Sequence, residues 1–297
     1  MGLRHLFLNS FIFFLMRDNL RKNFSQEKIK TFEKKELNNE NYIAHYTSIE
    51  TAMQYILPSN QIRLSTAGNV NDPFENKMDW FDCDPATEPN GTILDMLNQK
   101  DRIRNLLANH IKLLCCTKYN PLDTENFTAH YYAIPSMWSH YGDNHRGVCL
   151  IFDKNELNTN IKEIPVEGEI ILDAVSYLPD FHFNGINQVS GDRSQYPELI
   201  QDLTKLYDAV SEKFLKLKFF KKNKCWEIEQ ELRWLLFTKK YSDVFVNYKK
   251  SLKAIIIGAN FEAGKSKEAQ AAQIRILQEY APVLAMKCDY GKYDIEG

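Results

Sequence analysis

Trp226-Glu227-Ile228-Glu229-Gln230-Glu231-Leu232-Arg233-Trp234 is the stretch whose period decides how this chain folds. Read as a strand, it sets Glu227, Glu229, Glu231 and Arg233 on one face and Ile228, Leu232 and Trp234 on the other. Outward from it, apolar runs predict strands at 231–237, 244–248 and 254–257, a helix at 266–280, and a last strand at 283–286 that ends the sheet. Toward the N-terminus, 111–117 and 147–152 are continuous apolar runs of the kind that sheets bury on both faces. Shorter strands are expected at 42–46, 62–65, 161–166 and 170–177. Helices are expected at 49–57 behind a Ser48 cap, 92–109, 134–141 and 197–217. Strands and helices are mixed rather than strictly alternating. That order implies an α+β fold, a mixed and mainly antiparallel sheet with flanking helices. Residues 41–297 read as a single domain, with 1–40 as an N-terminal tether or helix.

The chain has 297 residues, 44% of them hydrophobic, ample for a core. A formal net charge of -2 gives no overall pull toward nucleic acid, so such contact needs a local basic patch such as 216–224. The six cysteines show neither a CxxC pair nor zinc-ligand spacing, and several sit in apolar runs, which suggests free buried thiols in a reducing compartment. The run 6–16 is short of the roughly 20 apolar residues a membrane span needs and has no cleavage site behind it. The expectation is a cytoplasmic protein without a membrane partner. Residues 259–266 (ANFEAGKS) imitate a phosphate loop with the wrong glycine spacing, so Gly264 reads as a turn residue and Ser266 as a helix cap.

Four constellations could carry chemistry. His45, Tyr46 and Thr47 end a strand just before a helix. Asn71, Asp72 and Glu75 belong to a rigid turn, Asn71-Asp72-Pro73-Phe74-Glu75, able to aim a carboxylate into a cleft. Trp138 and Tyr141, three apart on a helix, share a face and suit either core packing or a stacking wall for a flat ligand. Glu229, Glu231 and Arg233 suggest a held carboxylate with its own cation. If Asp72, Glu75, Glu229 and Glu231 converged, they would instead form oxygen ligands for a metal-dependent nuclease.

In this order the His-Tyr-Thr strand, the Asn-Asp-Pro-Phe-Glu turn, Ser136-Met137-Trp138 with Tyr141, Gly147-Val148-Cys149-Leu150, and Trp226 with Glu229, Glu231 and Arg233 resemble an uncharacterised bacterial domain family. A second resemblance, carried by His45-Tyr46-Thr47-Ser48 followed by a helix and a short strand, is to the ADP-ribosyltransferase fold. That resemblance implies NAD as substrate, a nucleotide ligand in the cleft and a macromolecular acceptor. By the same resemblance, His45 would hold the adenosine-side ribose, Tyr141 or Trp138 would stack on nicotinamide, and Glu229 or Glu231 would bond the nicotinamide ribose. It places the chain among intracellular effectors of phage defence or toxin systems. The alternative from the same residues is a noncatalytic nucleotide- or protein-binding module, with Arg233 holding an anion.

Overall fold

The computed structural model describes residues 34–70, 108–119, 130–179, 212–289 and 292–296, with Phe32 and Asn105. The chain divides into two compact units, Met1–Phe32 and Glu33–Gly297, and every element below belongs to the second. The expected turn at 71–75, helix at 92–109 and long loop at 180–196 lie wholly or mostly outside the described residues. Among those residues no helix is long and apolar enough to cross a membrane.

The fold is α+β. Among the described residues ten strands form one sheet, mostly antiparallel. The main path runs β12 (Lys292–Glu296), β11 (Val283–Asp289), β10 (Leu252–Ile257), β4 (Val148–Asp153), β1 (Tyr42–Thr47), β3 (Ile111–Lys118), β2 (Gln61–Thr66) and β9 (Val244–Asn247). From β3 a branch continues through β8 (Glu231–Phe237) to β5 (Glu169–Ala174). Among the described strands of this sheet, β10 and β11 alone pair in parallel. A separate parallel ribbon joins β6 (Ser176–Leu178) to β7 (Lys221–Asn223). The uninterrupted apolar runs fall at the centre, where β4 and β8 are buried on both faces.

One face of the sheet packs under three helices. The first, α1, is wound in pieces, Ile49–Thr51, a π turn at Ala52–Ile56, and Leu57–Ser59. It starts because the Ser48 side chain accepts the Thr51 N–H, and it ends where Asn60 turns left-handed. A short helix at Pro135–His140, α2, belongs to the site below. The next, α3 (Lys154–Lys162), is capped by Asp153 and buries Leu157 and Ile161, one turn apart. Helix α4 (Glu212–Phe219) precedes β7, and α5 (Lys267–Gln278) is capped by Ser266 and buries Leu277. Trp234, Leu232, Leu114, Ile43 and Leu150 meet α1, α3 and α5 in one hydrophobic cluster.

Three expectations need correcting. The strand expected at 161–166 is the end of α3 and a turn, because Leu157 and Ile161 follow a helical stripe and not an alternation. Val283–Asp289 does not end the sheet: β12 pairs with it, and its edge position keeps its sequence polar apart from buried Ile295. The strand through 226–234 begins only at Glu231. Lys224–Glu229 is a 3-10 helix, and Gln230 at φ 46° breaks the two-residue period.

The topology creates one feature that matters for function. Along its whole length one edge of β3 pairs with β8, so β1 and β2 must share its other edge. They do so at opposite ends: β2 at Leu113 and Lys112, β1 at Lys118 and Thr117. Between them the sheet splits, and among the described residues the β3 backbone at 114–116 has no strand partner on that side.

Beside the split the chain passes close to itself at Gly147, where a Cβ would collide with the Thr47 carbonyl oxygen. Gly147→Ala must push two strands apart. It is expected to cost about 1–3 kcal/mol as an overpacking change. Thermal unfolding checks this, with a fall of several degrees in Tm expected.

Candidate functional site

The split opens a cleft of about 280 Å³. Its walls come from β1 (Ala44, His45, Tyr46), β2 (Arg63, Ser65), the unpaired stretch of β3, Met137 of α2 and the adjoining Tyr141. Its charged end is built by Lys222, Glu229, Glu231 and Arg233. Two of these groups come from β8, where residues two apart share a face, and two from the chain entering it.

The four groups form a closed network. Lys222 Nζ lies 2.9 Å from Glu229 Oε2 and 2.8 Å from Glu231 Oε2. Arg233 donates from Nε to Glu231 Oε1 at 2.7 Å and through its terminal nitrogen to the Phe219 carbonyl. Tyr141 closes the other end, its hydroxyl donating to Glu229 Oε1 at 2.8 Å. The Glu231 N–H donates to the Tyr177 hydroxyl at 2.9 Å. All four charged side chains are buried, and two anions meet two cations. Pairing of this kind is what lets buried charges persist.

Burial alone would raise the Glu231 pKa, but Arg233 and Lys222 outweigh it and hold the carboxyl at about 2. The unfolded value is higher, so this group stabilises the fold fully above the ordinary carboxylate range and loses that contribution as pH falls through its folded value. The stabilisation, on the order of 3 kcal/mol, is expected to vanish between about pH 5 and pH 2. Denaturant unfolding across that window checks it. Glu231→Gln should flatten the acid limb, and identical limbs in both proteins would contradict the assignment.

His45 sits in the split itself. Its Nδ1 lies 3.2 Å from the Cys115 carbonyl oxygen, on the stretch of β3 that lacks a strand partner there. A carbonyl can only accept, so Nδ1 carries the hydrogen. Burial lowers the pKa of the ring, which is therefore neutral at pH 7 and keeps Nε2 as an acceptor. The Cys115 thiol, pushed up by burial and by Glu231, stays protonated beside it.

His45, Tyr46, Tyr141, Glu229, Glu231 and Arg233 all line this cleft. Tyr46 gives its hydroxyl to the Tyr131 carbonyl at 2.8 Å and serves as wall only. Thr47 is buried outside the lining. Trp138 is not a stacking surface: it is fully buried, donates to the Tyr132 carbonyl and packs edge-on against Tyr46. Of the two aromatics three apart, one is core and Tyr141 is wall. Arg233 is committed to Glu231 and Phe219, so it does not offer itself to a ligand anion. Glu227, expected on the strand, is exposed on the 3-10 helix. Asn71, Asp72 and Glu75 lie outside the described residues.

Among the described residues no three His, Cys, Asp or Glu side chains converge as a metal site. Glu229 and Glu231 are bridged by an ammonium group where a shared cation would stand. Sequence reading missed Lys222, treating 216–224 as a surface patch. Lys218 and Lys222 are in fact buried, and Lys216 pairs with Glu212 and Asp173. It missed Arg63 too. The alternation of Ile62 and Leu64 around Arg63 was the available signal. Of the cysteines, Cys116 and Cys149 are buried free thiols as expected, whereas Cys225 and Cys288 are exposed.

Residues 137–234 match the model of a family described as Protein of unknown function (DUF2971). The matched span contains Met137, Tyr141, Lys222, Glu229, Glu231 and Arg233, while His45 and Arg63 precede it. No curated protein and no solved structure matches the chain.

Proposed function

We propose that this chain is an NAD-dependent ADP-ribosyltransferase, with the nicotinamide riboside end of the dinucleotide bound in the split of the sheet. The observation that carries the reading is the juxtaposition, in one cleft, of a histidine whose Nε2 is left to accept and a held pair of carboxylates. Ribose presents hydroxyl donors, and Nε2 of His45, inside the split, accepts one from the ribose bound there. Glu229 or Glu231 accepts from the nicotinamide ribose, and the Tyr141 ring, fixed by its hydroxyl, walls the nicotinamide.

In the reaction the bond between ribose C1′ and the nicotinamide nitrogen breaks, and its electron pair leaves with neutral nicotinamide. Positive charge develops on C1′, where an ionised carboxylate stabilises it. A nucleophile of the acceptor, or water, then bonds to C1′ and releases a proton. Lys222 and Arg233 keep Glu231 ionised and fixed, so little reorganisation is needed as charge develops.

One observation favours a second reading, a noncatalytic nucleotide- or protein-binding module: both carboxylates already carry cations, as purely structural pairs do. Both readings use the His45 contact when the ligand is a nucleotide. Calorimetric titration of NAD at pH 7.5 is expected to give affinity lowered about 10-fold or more by His45→Ala, the worth of one good hydrogen bond to a buried acceptor. On acidification below the ordinary histidine range the ring gains a second N–H and ceases to accept, so wild-type affinity falls while that of His45→Ala stays flat. Affinity indifferent to His45 would remove the ribose assignment.

A further inference from the structure

A cleft of about 280 Å³ is below the roughly 300–1,000 Å³ of pockets that enclose a drug-sized ligand. A dinucleotide held there must extend past the rim. The rim on one side is the two-stranded ribbon of β2 and β9. Arg63 lines the cleft from β2, and its cross-strand partner in the register is Phe245. Directly opposed residues of an antiparallel pair share a face. Ile62, Leu64, Val244 and Val246 fill the buried face, which leaves Arg63 and Phe245 side by side on the outward one. Phe245 is 50% exposed, and Arg63 meets Asp243 at 3.6 Å, a solvent-exposed contact worth little. A cation at the cleft mouth and a flat aromatic ring one strand further out form a continuous path away from the carboxylates.

We infer that Arg63 and Phe245 form the adenylate half of the site, the guanidinium on the diphosphate and the ring beneath the adenine. The inference rests on the NAD reading and deepens it. At the charged end of the cleft the two carboxylates already hold both cations, so no positive group there is left for phosphate, whereas Arg63 attracts it, and the two ends of the ligand are distinguished by charge. Binding moves Arg63 from Asp243 to the phosphates, and the half-exposed Asp243 turns to solvent. Asp243→Asn therefore strengthens binding of phosphate-bearing ligands, more so at low salt.

The test is a set of titrations with nicotinamide riboside, nicotinamide mononucleotide, NAD and ADP. Phe245→Ala is expected to weaken NAD and ADP by about 5- to 100-fold, the range for loss of one base-stacking contact, and to leave the mononucleotide unchanged. Phe245→Leu keeps the apolar cover of the ribbon but not the flat ring, and gives the same pattern if stacking is the cause. Arg63→Gln weakens NAD, ADP and the mononucleotide but not the riboside. NAD affinity unchanged in Phe245→Ala, or lost equally for NAD and the mononucleotide, overturns the inference. Wild type that binds ADP through Phe245 but neither NAD nor the riboside keeps the shelf and removes the NAD reading. Wild type that binds neither NAD nor ADP overturns both.

Discussion

Lys222→Met is expected to cost about 3–5 kcal/mol at pH 7, the range for breaking a buried ion pair and leaving its partner uncompensated. The ammonium stands within 2.9 Å of both Glu229 and Glu231, and once it is gone Glu229 is left with the Tyr141 hydroxyl among the described partners. Without it two buried carboxylates share one guanidinium that is bonded to Glu231, so one must take up a proton. The sign of the pH dependence then reverses. In wild type Glu231 has a folded pKa of about 2, and acid removes its stabilisation. In Lys222→Met a carboxyl has its folded pKa raised above the unfolded value, and the variant gains stability as pH falls toward 5. Adding Glu229→Gln to Lys222→Met should restore much of the loss by removing the surplus charge. Denaturant unfolding of the three proteins at pH 7 and pH 5 measures this. A Lys222→Met protein no more stable at pH 5 than at pH 7 would contradict the shared clamp.

The second large effect concerns turnover. Replacing the carboxylate that faces C1′ by its amide removes a preorganised charge and is expected to lower the rate about 10²- to 10³-fold, as losing one such stabilising group does. Glu229→Gln and Glu231→Gln keep shape, so NAD affinity should persist in both, and the larger loss identifies the group at C1′. Glu231→Gln also leaves Arg233 short of its partner, so its melting temperature falls as well. Glu229→Gln keeps that pair. A loss of turnover in Glu229→Gln without a matching loss of stability thus speaks for chemistry, and retained NAD-induced stabilisation with no release in wild type speaks for the binding module.

Much of this architecture is local enough to be read from residues. Strand β8 was legible from 231 onward because its period is two and its apolar face is unbroken, and the Glu231 and Arg233 pairing follows from an i, i+2 spacing. The Ser48 and Ser266 caps were legible for the same reason. What failed was non-local or unsignalled. Nothing in Gln230 announces a left-handed backbone, so Glu229 was carried onto a strand it only precedes. It reaches the cleft nonetheless through the 3-10 helix. Trp138 and Tyr141 share a helical spacing, and only the packing of Tyr46 and Tyr132 decides that the first is core. Lys222 looked like one cation among many, since its partners are set by where β7 lies. The split that makes the cleft depends on β1 and β2 sharing one edge of β3, a matter of topology that no single segment encodes.

The most direct test of the central claim is nicotinamide release from NAD by the purified wild-type chain, with nucleic acid and cell lysate offered as acceptors and Glu229→Gln and Glu231→Gln run beside it. The account predicts release by wild type and its near-abolition in at least one of the two variants. Absence of release in every mixture, together with no stabilisation of the protein by NAD, would contradict it.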